Sequence, residues 1–164
     1  MSSRLAWGHV AALAIWIAIS GGAYLYFDAR QKPTIVTARA DLVGGQVVIP
    51  RSRDGHYYIR GAILGQPVDF MVDTGASIVS VSRAVARKAN LPAGIASNFS
   101  TAGGTVTGEV VAAQSVEAGG IVVEGISVGV GIHGDIGLLG QNFLRNVDVL
   151  QLEDKMLLRL RIRQ

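Results

Sequence analysis

Apolar and polar residues follow two different regimes along this chain. From Leu5 to Phe27 there are 23 residues without a formally charged side chain, and only His9 and Ser20 are markedly polar. As a helix rising about 1.5 Å per residue they span roughly 35 Å, enough to cross a hydrocarbon core of about 30 Å. Trp7 and the pair Tyr24 and Tyr26 fall near the two ends, where amphipathic rings favour the membrane interface. A cleaved signal peptide is the competing reading for residues 1–27, because Ala18-Ile19-Ser20 and Gly21-Gly22-Ala23 offer small residues suited to cleavage. The apolar run continues beyond both sites to Phe27, which favours a retained anchor through residues 5–27. Arg4 stands on one side and Arg30 and Lys32 on the other, so loop charge does not orient the segment. An N-terminal anchor followed by a soluble domain most often exports that domain, and this one is expected outside the cytoplasm.

Residues 28–46 read as a linker, with Pro33, mixed charges and Gly44-Gly45. After it the pattern changes to short apolar segments between glycine-rich turns, over a domain placed at residues 47–164. Strands are predicted at 46–49, 56–64, 68–72 and 78–81, then at 110–117, 121–124 and 126–130, with Gly125 dividing the last two. Asn98 to Val106 carries a glycine pair between β-capable arms, a hairpin pattern. Segments this short and this rich in Val, Ile and Gly point to an all-β barrel or sandwich. One helix is predicted at 83–90, capped by Ser82 and stopped by Pro92. Val147–Leu152 and Met156–Ile162 form a closing hairpin, in which Arg159, Arg161 and Arg163 alternate with Leu160 and Ile162 and read as a solvated face.

Composition narrows the function classes. The chain has 164 residues, room for one modest domain beyond the apolar segment. Its isoelectric point is basic, about 9.6. Setting aside residues 1–32 removes Arg4, Arg30, Lys32 and Asp28 and leaves 12 basic against 11 acidic side chains. A near-neutral domain has no electrostatic footprint for nucleic acid. There is no cysteine, so disulfides, thiol catalysis and thiolate metal sites are excluded. His9, His56 and His133 are far apart and lack ligand-like neighbours, so no metal site is expected. Glu109, Glu117 and Glu124 read as solvated strand positions, and His133 beside Asp135 has no nucleophile near it.

The candidate chemistry sits at Phe70-Met71-Val72-Asp73-Thr74-Gly75-Ala76-Ser77. Two apolar runs flank an acidic turn, so Asp73 stands where a buried strand ends, a costly place for a carboxylate. Asp-Thr-Gly by itself is equally an ordinary turn sequence. Its flanks change the balance. Asp-Thr-Gly with Ala-Ser after it and four apolar residues before it resembles the active-site signature of the aspartic proteases. Farther along, Leu138-Leu139-Gly140-Gln141-Asn142-Phe143-Leu144 resembles the hydrophobic-hydrophobic-glycine motif and short helix of that superfamily. Between them, Ser100-Thr101-Ala102-Gly103-Gly104-Thr105 is similar in position to the flap hairpin. Order and spacing are similar to the single-lobed, retropepsin-like branch, especially its bacterial membrane-anchored members, over residues 55–160.

This resemblance implies a small closed acid-protease-like barrel with one or two short helices behind an N-terminal transmembrane helix. It implies peptide hydrolysis by two carboxylates around one water, with no cofactor. The chain holds a single Asp-Thr-Gly; Asp135-Ile136-Gly137 lacks the hydroxyl residue and an apolar strand before it. A homodimer acting on a polypeptide, pairing Asp73 from each copy, is therefore expected. By the resemblance Thr74 would hold the two loops together across the axis, Gly75 would bring a backbone N–H to the carboxylate, and Ala76 fits the small position that follows. Thr101, Ala102, Gly103, Gly104 and Thr105 would form the flap, and Leu138, Leu139 and Gly140 would support the loop. Such an enzyme would sit on the periplasmic side of the inner membrane. The alternative is a non-catalytic peptide-binding or scaffolding domain with the same barrel.

Overall fold

The computed structural model of the chain describes residues 3–31, 33, 35, 45–101 and 103–161. These fall into two units, residues 1–33 and 34–164. The first is helix α1, Ser3–Gln31. It runs past Phe27 because nothing in Asp28-Ala29-Arg30-Gln31 breaks a helix, and the Arg30 guanidinium folds back over the Tyr26 ring at 4.5 Å. Residues 8–30 are long and apolar enough to cross a membrane, with mean hydropathy 1.8. Val10, Leu13, Trp16, Ile17 and Leu25 are all exposed along it. Most of the expected linker, residues 32, 34 and 36–44, lies outside the described residues.

The second unit is built from period-two patterns. β3, Gln66–Val72, buries Val68, Phe70 and Val72 and turns Asp69 and Met71 the other way. It pairs antiparallel with β2, Tyr58–Ile63, and parallel with β8, Gly137–Leu139. β4, Val79–Ser82, touches β8 at Ser80–Leu138 and pairs parallel with β7, Ile121–Ile132. β6, Gly104–Ala118, pairs with β7 and returns to β2, closing the sheet β2-β3-β8-β4-β7-β6 into a six-stranded barrel. At the seam Gly61 lies so close to β6 that a Cβ there would stand 2.0 Å from the Glu117 carbonyl oxygen. β5, Ile95–Thr101, stands outside the ring, bonded among the described strands to β6 alone.

A second sheet joins β1, Gln46–Pro50, to β10, Lys155–Leu160, and β10 to β9, Val147–Gln151. Its inner face (Val47, Ile49, Met156, Leu158) joins the core around Phe70, Ile59, Leu139 and Phe143. Helix α2, Arg83–Lys88, starts on the Ser82 hydroxyl, which accepts the Val85 N–H at 3.3 Å. It ends before Asn90, whose φ of +52° departs from the helix, so it is shorter than the predicted 83–90. Helix α3, Gln141–Leu144, follows β8.

The long strands differ from expectation. Residues 121–124 and 126–130 are one strand, because Gly125, at φ +72°, absorbs an extra residue as a bulge. The arm 104–106 and the strand 110–117 are likewise continuous in β6. Arg159 and Arg161 are not simply solvated: both bind Asp148, at 3.1 and 3.0 Å. Arg163 lies outside the described residues. Glu109, Glu117 and Glu124 accept bonds from Gly94 N–H, Gly120 N–H and the Ser115 hydroxyl.

The connection into β2 is a locked turn. Ser52 N–H donates to His56 O at 2.8 Å, and Arg51 Nε to Gly55 O at 3.1 Å. Tyr58 donates its hydroxyl to Asp54 Oδ2 at 2.6 Å. Burial, reinforced by this bond, pushes the Tyr58 hydroxyl up to about 12, and the bond holds Asp54 below the usual carboxylate range. A phenol whose folded value lies above its unfolded value of about 10 favours the folded state fully below pH 10 and loses that contribution on the way to 12. Thermal unfolding should therefore show stability falling between pH 10 and 12, and Tyr58→Phe should flatten that fall. An identical slope in the variant would assign the loss to other groups.

Candidate active site

β8 lies between β3 and β4, so the loop joining those two strands, residues 73–78, must straddle its end. That crossing is held by main-chain bonds. Asp73 N–H donates to Leu139 O at 3.2 Å, Gln141 N–H to Ala76 O at 2.8 Å, and Asn142 N–H to Ser77 O at 3.1 Å. Gly140 sits under the arch with no room for a side chain: a Cβ there would be 2.4 Å from Ile78 O and 2.9 Å from Ala76 O. Gln141 Nε2 donates to Thr74 O at 2.9 Å and ties the tip of the loop down.

Within the loop, Gly75 N–H donates to Asp73 Oδ1 at 2.8 Å. An added Cβ at Gly75 would stand 3.2 Å from that same oxygen. The bond aims the carboxylate. Asp73 is half-buried while Thr74 and Gly75 are exposed, so the loop tip is open to solvent.

Asp73, Gly75 and Ala76 line a cleft of about 700 Å³ with Leu138, Ile78, Ser80 and the β5 residues Asn98–Thr101. The loop and the β5–β6 hairpin thus form two sides of one space. Asp73 is the charged side chain among those lining it, and Met71, Ile78, Phe99, Ile132 and Leu138 make its walls largely apolar. Of the expected flap residues, Thr101 reaches the cleft and its hydroxyl donates to Gly104 O at 2.7 Å, closing the hairpin turn. Gly103, Gly104 and Thr105 are exposed and do not line the cleft, and Ala102 lies outside the described residues. Leu139 is fully buried beneath the loop.

Sequence reasoning passed over Asn142, which the structure makes central. Its side chain is buried, accepts Val79 N–H at 2.8 Å and donates to Ser127 O at 2.7 Å, joining the loop's exit to β7. One signal was available: an amide set directly before the apolar pair Phe143-Leu144 in a four-residue helix. Ser80 and Phe99, on the cleft walls, were also missed.

Two changes test this support. Asn142→Ala leaves a buried donor and a buried acceptor unpaired, each worth about 1–3 kcal/mol, so a loss of roughly 2–6 kcal/mol is expected from the shift in urea midpoint of the full-length protein. Gly140→Ala should cost at least as much, since the obstacle is backbone. A midpoint unchanged in either variant would show that the arch does not depend on these contacts.

Comparison with known proteins agrees with this geometry. The family described as "gag-polyprotein putative aspartyl protease" matches residues 59–146. An uncharacterised Sinorhizobium protein from the cobV 5′ region is 29% identical over 161 residues, covering 85% of this chain and 68% of its own length. An uncharacterised protein of Rickettsia prowazekii is 43% identical over 44 residues, 27% of this chain and 19% of that one. The crystal structure of a retropepsin-like aspartic protease from Rickettsia conorii superposes with a TM-score of 0.60 at 28% identity, covering 70% of this chain and 90% of that one. With a family match over more than half its length and a solved relative of the same barrel, the chain belongs to the retropepsin-like aspartic protease family.

Proposed function

We propose that the protein is a membrane-anchored endopeptidase, acting as a homodimer in which the Asp73 carboxylates of two copies activate one water molecule. The observation that carries this reading is the cleft itself: a carboxylate aimed by Gly75 N–H, a flap hairpin opposite, and, among the described residues, no second acid lining the space. Two close carboxylates cannot both ionise, so one takes a proton from water while the other donates to the scissile carbonyl. A lone acid can do one of these tasks at a time. The exposed Thr74 and Gly75 leave room for an identical loop beside it, and an isologous pair supplies the twin at no further cost in sequence.

The apolar cleft suits a polypeptide with apolar side chains around the cut. Helix α1 supports anchorage, and an anchor ahead of a folded domain supports placement on the periplasmic side of the inner membrane.

The test uses full-length protein in detergent with a mixed peptide library at mildly acidic pH. Asp73→Asn should lower cleavage at least about 100-fold, the usual scale for losing an acid–base group. Adding a fourfold excess of Asp73→Asn to wild type should cut activity to roughly one fifth by random pairing. Undiminished activity in the mixture would sink the shared site, and cleavage that survives in the variant alone would remove Asp73 from the mechanism. Peptide binding without cleavage by wild type would favour a binding domain on the same barrel.

A further inference from the structure

The flap side of the cleft depends on one large side chain. Phe99 on β5 is half-buried, while Ile95 at the start of the same strand is 80% exposed. Beneath the Phe99 ring the barrel is bare. A Cβ built on Gly129 would lie 3.3 Å from Phe99 Cε1, 3.1 Å from Ile78 Cδ1 and 3.0 Å from Ser80 Oγ. One built on Gly108 would lie 2.9 Å from Phe99 Cε2, though there the Val130 carbonyl oxygen, at 2.2 Å, also excludes it. Gly129 is the more telling position. Its backbone does not occupy the left-handed region, and the atoms nearest its missing Cβ all belong to side chains. What its lack of a side chain provides is a seat for the ring.

The three groups that converge on Gly129 come from three segments: Phe99 from the flap arm, Ile78 from the active-site loop, and Ser80 from β4. All three line the cleft that holds Asp73. The Ser80 hydroxyl donates to Ile78 O at 3.2 Å, so its proton is already engaged. The space beside them is apolar in character, with Leu138, Met71 and Ile132 completing its lining.

We propose that Phe99, seated on Gly129, is the specificity-determining residue of this cleft. Its ring limits the substrate side chain accepted beside Asp73 to small and branched aliphatic ones and excludes aromatic ones. The substrate class, a peptide, rests on the endopeptidase reading above. The two positions make opposite predictions. Removing the ring by Phe99→Ala opens the recess. Adding a methyl by Gly129→Ala pushes Phe99, Ile78 or Ser80 into it by a few tenths of an ångström and narrows it.

The experiment compares full-length wild type, Phe99→Ala, Phe99→Leu and Gly129→Ala on paired peptides that differ only in Val or Phe flanking the cut. A single methylene in an apolar pocket is worth about 10–200-fold in kcat/KM, so Phe99→Ala should raise the Phe-to-Val ratio at least about 10-fold. Phe99→Leu should give a smaller rise, and Gly129→Ala a fall. Phe99→Leu carries the test if the alanine variant unfolds, as read by its thermal midpoint. The same peptides are also measured by fluorescence anisotropy in an Asp73→Asn background. A shift in binding preference in that background, with no cleavage of any of the peptides by the proteins that retain Asp73, would keep Phe99's role and discard the endopeptidase reading. Active variants with an unchanged ratio, or ratios moving the same way in Phe99→Ala and Gly129→Ala, would overturn the proposal, as would unaltered binding preference in the Asp73→Asn set.

Discussion

A backbone arch over β8 governs this domain. Because β8 separates β3 from β4, residues 73–78 must cross its end, and the chain leaving β8 must pass beneath them. Two main chains in such contact can be satisfied only by bonding each other, since buried N–H and C=O groups left unpaired are costly. Asp73, Gln141 and Asn142 donate across the crossing, and the Asn142 side chain closes the remaining gaps at Val79 and Ser127. The approach is close enough that only glycine fits at position 140. The barrel can vary around this point, but the crossing has few alternatives.

Chemistry follows from that rigidity. A carboxylate that must share a proton needs a fixed direction more than a particular depth, and the arch together with Gly75 N–H supplies it. The loop is pinned from below and open above, at Thr74 and Gly75. On the proposed reading this asymmetry is what a half-site requires: the protomer fixes one acid and leaves the adjoining space to a copy of itself. A two-lobed chain would need a second acidic turn set directly on the end of an apolar strand. Asp135-Ile136-Gly137 lacks the hydroxyl residue, and although the apolar strand β7 does run towards it, contrary to expectation, that strand ends at Ile132, with His133 and Gly134 intervening.

Much of this architecture could be read from residue order. Alternation in Val68, Phe70 and Val72 marked β3, and Ser82 with Pro92 bounded α2. Gly140 stood out beside Leu138 and Leu139 because an apolar pair followed by glycine is a packing pattern as well as a motif. Gly125 misled, since a glycine between two apolar runs looks like a turn whether the strand ends there or bulges; only pairing with β6 decides. Asn142 and Phe99 were hidden for a related reason. Each acts through a partner far away in sequence, Asn142 with Val79 and Ser127, Phe99 with Gly129, and neither partner is chemically distinctive by itself. Local patterns report propensity and periodicity, whereas these residues matter through complementarity.

The two sides of the cleft are held by unequal forces, and on the proposed reading this bears on how selection and turnover divide between them. The Asp73 side rests on a buried crossing of several main-chain bonds. The flap side is β5, an end strand bonded among the described strands to β6 alone, with most of its residues exposed. Segments with few buried contacts open at low free energy, which a lid needs if peptide is to enter and leave. Phe99 is the principal apolar side chain holding this strand to the barrel, and the seat at Gly129 lets it do so without fixing the hairpin tip. A larger residue at 129 would unseat the ring and loosen the flap as it narrowed the recess. A smaller one at 99 would widen the recess and loosen the flap as well. Size selection and flap anchorage are therefore coupled through one contact, and the pair can change only together if the cleft is to keep both.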